Sequence, residues 1–537
     1  MLSRKIIAVF VLLSVLIMTP MATYAEENIN VVDDELEISL YERTDNPELW
    51  MQFIEENADS SIGRWLPLLI KKLVSDDPTA KKEVVDMKYN TVTSVYDWGP
   101  AINKLVLDLD QPVDIESIDL ETFEVNSVRF FKDLDFQTFT LAEEETEHTT
   151  PRTVTSVYTS DKSGVADENG SYVTLELAVG PTLTEGSPFN YNFATSRNEF
   201  VKHHHEISVR PGKEIKSLDD KSITFMPASE DEYAEDIKYL TDEFTHNESF
   251  ASNDVTLGYA YYAPIKEEET DDVPLIIWLH GAGEGGEDTR ITVMGNEVVN
   301  LITEETQDYF GNSGAYVLAP QAPTMWMDYD GTNIYNSEVV DSMGTSYYTE
   351  ALMGLIDDFV ATHDDIDTNR IYIGGCSNGG YMTVNMILTH PEYFAAAFPI
   401  CEAYSAEWLS EEKIQSIVDL PLWLTHSLDD SVVAIAEGIS KGFMGYEVLT
   451  DENGQPILKE DFSNALYDQL IEAGAEQVYY SQFENVVDTT GLYKNFDGSP
   501  YSYMGHFSWI YTLNNECTET IDGESVTIFE WLGQQTK

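Results

Sequence analysis

The chain has 537 residues, 42% of them apolar and 12% aromatic, which is enough material for two or three globular domains. Its 96 acidic residues against 29 basic ones leave a formal net charge of −67, which argues against nucleic acid and anionic membrane surfaces, both polyanions, as partners. Three cysteines, Cys376, Cys401 and Cys517, permit one disulfide at most, so the fold is not a disulfide-stapled scaffold.

Residues 1–25 read as a secretory signal peptide: Arg4 and Lys5, an apolar run from Ile6 to Met18, then Thr23-Tyr24-Ala25 ahead of Glu26. The run is too short for a comfortable transmembrane helix, and no apolar stretch near the C-terminus would anchor the tail. A secreted, extracellular protein without a transmembrane anchor is expected. An acidic surface stays hydrated where salt screens its self-repulsion, which suits a saline or alkaline medium.

Residues 26–88 carry a helical stripe, with Leu49, Phe53 and Ile54, then Trp65, Leu66, Leu69, Ile70 and Leu73 at spacings of three and four. Residues 89–250 change to short alternating strands: Thr91–Tyr96, Lys104–Leu109, Thr153–Tyr158, Tyr172–Leu177 and Glu206–Arg210. Turn clusters separate them, the pattern of an antiparallel sandwich. The recurrence of Thr-Val-Thr-Ser-Val-Tyr at Thr91 and Thr153 reflects shared strand chemistry rather than an internal repeat. His203, His204 and His205 cannot converge on one ion, because neighbouring strand residues alternate faces; they read, with His148, as a solvated segment.

Residues 251–537 alternate strands with helices. Val255–Ala263, Val273–Leu279 and Tyr316–Ala319 are predicted strands, followed by a helix over Tyr347–Thr362. Further strands are expected at Arg370–Ile373, Ala395–Ile400, Leu422–Thr425 and Val478–Phe483, with helices after the first of these, over Asp461–Ala473 and near Thr527–Leu532. The fold class is therefore α/β, a mostly parallel sheet with helices on both faces, preceded by an all-β sandwich. A site should lie at the carboxyl ends of the parallel strands.

Gly375-Cys376-Ser377-Asn378-Gly379 stands at the junction of a strand and a helix and matches G-x-S-x-G, in which the serine projects from a strained turn as a nucleophile. A serine hydroxyl needs a base within hydrogen-bond reach and an acid to orient that base, and in this sheet order both follow the nucleophile. His506, in a loop near the C-terminus, fits the base. Asp430, four residues after the strand-end His426, fits the acid, with Asp429 as its rival; the spacing favours Asp430. The oxyanion of a tetrahedral intermediate needs fixed donors. The amide of Asn378 is one candidate and that of Ala282, in His280-Gly-Ala-Gly-Glu-Gly-Gly286, the other. No Gly-Lys-Ser/Thr follows those glycines, so they do not read as a phosphate loop. Trp326 and Trp509 are candidates to line the substrate pocket. Asp328–Asn333 resembles a calcium loop, but Val339 stands where a twelfth-position glutamate would be, so it reads as a turn. No metal and no cofactor are expected.

His280-Gly-Ala-Gly, Gly-Cys-Ser377-Asn-Gly-Gly, His426-x-x-x-Asp430-x-x-Val433 and Gly505-His506 resemble the secreted α/β-hydrolase esterases grouped with the prolyl-oligopeptidase-like and the polyhydroxybutyrate-depolymerase or feruloyl-esterase-like families. The resemblance covers residues 254–537 and implies a Ser-Asp-His triad at Ser377, Asp430 and His506. The upstream strands, with Tyr96-Asp-Trp-Gly-Pro100, resemble the immunoglobulin-like domain found ahead of some bacterial esterases. Ser427, where glycine is usual, and Ala434, where proline is frequent, depart from the pattern. The expectation is a serine esterase acting on a small or polymeric carboxylic ester. The alternatives are a prolyl-oligopeptidase-like peptidase, whose propeller the upstream residues are too few to build, and a polysaccharide- or surface-binding protein with an inert hydrolase domain.

Overall fold

The computed structural model describes residues 84–537, apart from 136, 139, 169, 194, 266–271, 333–343 and 442–444. The expected signal peptide, most of the helical segment at 26–88 and the acidic run at 267–269 lie outside the described residues.

The N-terminal module is a sandwich of two sheets. One has five strands in the order Tyr233–Lys238, Lys88–Tyr96, Gly99–Asp108, Tyr172–Leu177, Val154–Ser160; the other has three, Lys202–Val209, Phe123–Phe131 and Thr146–Pro151. Alternating residues of the facing strands, Leu105, Leu107, Val173 and Leu175 from the first sheet and Phe123, Val125 and Ile207 from the second, make its core. The two Thr-Val-Thr-Ser-Val-Tyr copies have different places. Thr91 and Thr93 lie in an inner strand and both donate to Asp236 Oδ1, at 2.7 and 2.8 Å, whereas the second copy forms the sheet edge.

The histidine triplet departs from its reading as a solvated segment. It lies on the strand Lys202–Val209, with His204 and His205 buried. His203 and His205 share one face, their rings 6.4 Å apart, while His204 packs towards Phe130. The inward face of an eight-residue paired strand is core whatever its polarity. Neither ring nitrogen of His205 has a hydrogen-bond partner, and burial holds its pKa well below the ordinary histidine value. The unfolded chain therefore binds this proton more readily, so stability contributed by the neutral ring is present above about pH 6.5 and is lost as pH falls below it. We expect the apparent melting temperature to fall between pH 7 and pH 5, and His205→Leu to flatten that fall by removing up to about 1.4 kcal/mol per pH unit.

The C-terminal module is built on eight strands: β1 (Thr245–Ser252), β2 (Val255–Tyr262), β3 (Val273–Leu279), β4 (Tyr316–Gln321), β5 (Ile366–Cys376), β6 (Ala396–Ile400), β7 (Leu422–Ser427) and β8 (Val478–Phe483). Their order across the sheet is β1-β2-β4-β3-β5-β6-β7-β8. β2 is antiparallel to β1 and β4, and every pair from β4 to β8 is parallel. The expected boundary at 250/251 needs correction, because it falls inside the β1–β2 hairpin. Phe250 pairs with Leu257, so the strand before the boundary already belongs to the large sheet.

All seven residues of β3 are buried, as a central parallel strand covered on both faces requires. Each of its aliphatic side chains contributes about 1.5–3 kcal/mol by leaving water. Helices α1 (Thr349–Thr362), α2 (Asn378–Thr389), α3 (Phe462–Ala473) and α4 (Ile528–Gly533) flank the sheet. Leu352, Leu355, Ile356 and Phe359 of α1 join Tyr381, Met382, Met386 and Ile387 of α2 in the core on one face. Ile528, Phe529, Trp531 and Leu532 of α4 cover the other. Among the described residues no helix is long and apolar enough to cross a membrane.

Candidate active site

β5 ends at Cys376 and α2 begins at Asn378, leaving one residue to reverse the chain. That residue is Ser377, held at φ 55° and ψ −115°. Backbone bonds clamp the turn: Ser377 N–H donates to Ile400 O at 2.8 Å, and Tyr381 N–H donates to Ser377 O at 2.8 Å. A positive φ on a residue with a Cβ costs about 1–3 kcal/mol and persists only where its surroundings impose it. The turn also needs room. A Cβ on Gly375 or Gly379 would run into the carbonyl oxygen of Leu279, at the end of the neighbouring β3. Gly379→Ala is therefore expected to cost about 1–3 kcal/mol, read as a lower melting temperature together with lost activity.

The Ser377 hydroxyl lies 2.8 Å from His506 Nε2, and His506 Nδ1 lies 2.7 Å from Asp430 Oδ2. His506 enters on the short helical turn Gly505–Phe507, and Asp430 sits in the loop just after β7. Asp430 is fully buried, and every oxygen is engaged. Oδ1 accepts from the amides of Val432 and Val433 at 2.7 and 2.9 Å; Oδ2 accepts from His506 and, at 3.1 Å, from His426 Nε2. His426 Nε2 also donates to Val433 O at 2.9 Å, so that nitrogen carries the proton and Nδ1 accepts from Ser463 Oγ at 2.8 Å. Burial alone pushes the Asp430 carboxyl up. The charge of His506 and the bonds from His426 and His506 outweigh it and hold the group far below the usual carboxylate range.

Asp429 turns elsewhere. Its carboxylate receives the hydroxyl of Ser427, and burial raises its pKa. The structure brings Asp430 and not Asp429 to His506, and Ser427, the departure from glycine, is the residue that occupies Asp429.

The two candidate oxyanion amides follow the ends of two neighbouring strands, β5 and β3. Asn378 is the first residue of α2, and Ala282 opens the turn Ala282–Glu284 after β3. The first N–H groups of a helix have no intrahelical acceptor, and the α2 dipole favours negative charge there. His280, fully buried, fixes the Ala282 turn at its base. Its Nδ1 donates to Gly281 O at 2.6 Å, and its Nε2 accepts from the Ala322 amide at 3.1 Å. Burial lowers its pKa to about 4, so the ring is neutral and keeps both roles. The Asn378 side chain does a second task, its Oδ1 accepting from the Trp326 amide at 2.6 Å.

Two expected substrate-lining residues need correction. Trp326 has no exposed surface; its ring packs 5.0 Å from His280 and edge-on to Tyr348. Trp509 is 6% exposed and stands edge-on behind His506, 5.9 Å away. Both rings buttress the site from within, Trp326 from the segment after β4 and Trp509 from the start of the short helix Trp509–Leu513. Two buried carboxyls escaped the sequence reading. Glu402, after β6, accepts from the Tyr404 amide at 2.6 Å, and burial raises its pKa to about 8. Glu284, in the Ala282 turn, is raised to about 7 by burial, and Asn198 of the sandwich reaches it. A lone carboxylate among the glycines of residues 281–286 was the available signal for Glu284.

Cys401 Sγ, Asp430 and His506 are the one grouping with metal-ligand spacing among the described residues, their ligand atoms within 4.8 Å of one another. Burial pushes the Cys401 thiol well above its ordinary range, and the Asp430 oxygens already accept from four donors, so this grouping suits proton transfer better than metal binding. All three cysteines are free and buried.

Comparison with known proteins agrees with this architecture. Residues 88–224 match the family described as esterase Ig-like N-terminal domain, and residues 260–454 match the family phospholipase/carboxylesterase. The chain is a carboxylic ester hydrolase with an immunoglobulin-like N-terminal domain. Among solved structures, the enzyme is similar to a thermostable esterase at 23% identity and a TM-score of 0.60, over 84% of this chain and all of that one. A ferulic acid esterase matches at 13% identity and a TM-score of 0.30, over 45% of this chain and 90% of that one. No curated protein matches the sequence.

Proposed function

We propose that the enzyme is an exported serine esterase that works through an acyl-enzyme on Ser377. The observation that supports this reading is the unbroken chain from Ser377 Oγ through His506 to Asp430, at 2.8 and 2.7 Å, in an ester hydrolase. His506 Nε2 takes the hydroxyl proton as Ser377 Oγ attacks the ester carbonyl. Asp430, held as a carboxylate, stabilises the imidazolium and keeps the neutral ring in the tautomer that accepts at Nε2. The amides of Asn378 and Ala282 receive the oxyanion. His506 then protonates the leaving alcohol, and water, deprotonated by His506, cleaves the acyl-enzyme.

The export part of the reading rests on the n-region, h-region and small-residue pattern of residues 1–25. Intact-mass measurement of the protein secreted by its host should find a mature N-terminus near Glu26; a cell-retained chain starting at Met1 would overturn export. For the chemistry, turnover of p-nitrophenyl esters of rising acyl length and of a feruloyl ester, alongside prolyl-p-nitroanilide, is the test. Ester cleavage without anilide cleavage is expected, and anilide cleavage alone would make the enzyme a peptidase.

A further inference from the structure

The turn that carries Ala282 is not held by the hydrolase domain alone. A hairpin of the immunoglobulin-like domain, Phe189–Asn192 paired with Arg197–Phe200, lies against it. The approach is tight: a Cβ placed on Gly283 would meet Asn198 Nδ2 at 3.3 Å and Tyr191 Cε2 at 3.7 Å. From this hairpin Asn198 Nδ2 donates to Glu284 Oε1 at 2.9 Å, across a sequence separation of 86 residues.

Glu284 is an unusual residue to find there. It is 5% exposed, and its side chain is threaded past Gly281 and Gly295, where any Cβ would collide with it. A Cβ on Gly281 would also meet Cys376 Sγ at 3.5 Å, which places this carboxyl beside the residue preceding Ser377. Meanwhile Gln321 Nε2, from the end of β4, donates to the Glu284 carbonyl at 2.8 Å. Burying a carboxyl without a cationic partner is costly, and an apolar side chain would pack in the same space at less expense. What the carboxyl adds is a directed bond to the other domain. An oxyanion donor stabilises a developing charge only if it is fixed before the charge appears, and a loop amide displaced by about 1 Å can cost a hundredfold in rate.

We propose that Asn198, although it belongs to the immunoglobulin-like domain, is a positioning residue of the active site: its amide holds the buried Glu284 side chain and thereby fixes the turn that presents the Ala282 amide to the substrate oxyanion. The N-terminal domain is then a working part of the catalytic centre rather than a separate binding module. This rests on the Ser377 reading above. Other interdomain contacts, such as Asn514 Nδ2 donating to Asp97 Oδ1 at 2.9 Å, keep the domains together without Asn198.

The test uses the full chain with p-nitrophenyl butyrate. Asn198→Ala should lower kcat about ten- to a hundredfold with KM changed less than about threefold and the melting temperature nearly unchanged. Asn198→Asp supplies a second readout. Two facing carboxyls can share one proton at low pH, so the kcat of this variant relative to wild type at the same pH should be highest at low pH and fall as pH rises and both carboxyls ionise. The other titratable groups near Glu284 do not mimic this. His506 is common to both enzymes and cancels in the ratio, while Tyr191 and Cys376 are both pushed up from already alkaline values. An unchanged kcat in Asn198→Ala would overturn the proposal. So would a kcat that falls only in step with melting temperature while Asn198→Asp keeps the wild-type pH profile. Ser377→Ala separates the two readings: if it is active, the site assignment fails; if it is inactive while Asn198→Ala behaves as wild type, only the positioning role fails.

Discussion

Ser377→Ala should reduce kcat for p-nitrophenyl butyrate by about 10⁴- to 10⁶-fold while leaving KM within a few-fold of wild type. In the proposed mechanism the hydroxyl oxygen forms the covalent bond, and nothing adjacent replaces it. Cys376 is buried behind the turn as a neutral thiol, and the next residue is Asn378. Binding, the oxyanion amides and His506 remain, so a small residual rate over uncatalysed hydrolysis is expected rather than none. The same substitution leaves the backbone at φ 55°, strained for alanine as for serine, so stability should barely change. Ser377→Gly makes a sharper statement. Glycine enters that region without a Cβ penalty, so this variant should be equally inactive yet more stable by about 1 kcal/mol, offset in part by the entropy of the unfolded chain. A Ser377→Ala enzyme that still turns over esters would sink the mechanism.

Asp430→Asn should lower kcat by about 10⁴-fold, and Asp429→Asn by less than threefold. An asparagine at 430 can still accept from Val432 and Val433, but the group facing His506 Nδ1 can then be an N–H. That N–H needs an acceptor, which forces the ring proton onto Nε2 and leaves His506 unable to take the proton of Ser377. The contrast between neighbouring aspartates is informative because both carboxyls are removed by the same isosteric change. Asp430 also has a predictable acid signature. Its folded pKa lies far below the unfolded value near 3.9, so the stability it contributes is complete above that value and is lost as pH falls below it. Activity lost between pH 7 and pH 5 therefore does not come from protonating Asp430. Equal losses from the two aspartate variants would contradict the assignment.

Most of the local architecture was legible in residue order. The Tyr172–Leu177 strand has the bounds its alternation predicts, and the nucleophile turn follows from an apolar strand, two glycines and a helical stripe. The failures have a common cause. The histidine triplet reads as polar and is core, and Trp326 and Trp509 read as candidates to line the substrate pocket and are buried, because composition reports what a side chain prefers and not which face its segment presents. The boundary at 250/251 was misplaced because β1 is largely polar on an exposed sheet edge, with only alternate residues half-buried, so it resembles the sandwich strands before it.

Signals that act over a few residues were determined by the sequence itself: the strand-to-helix turn at Ser377, the glycine-rich turn after β3, the order of serine, acid and base, and the extreme acidity. Contacts between distant segments were decided only by the tertiary structure. His506 meets Ser377 across 129 residues and Asp430 across 76, and only the placement of the loop after β7 separates Asp430 from Asp429. The bond from Asn198 to Glu284 joins two domains and leaves no periodic trace in either. Backbone geometry and hydrophobic period are local properties that one stretch of chain can encode, whereas a hydrogen bond between two side chains depends on how whole sheets and domains pack.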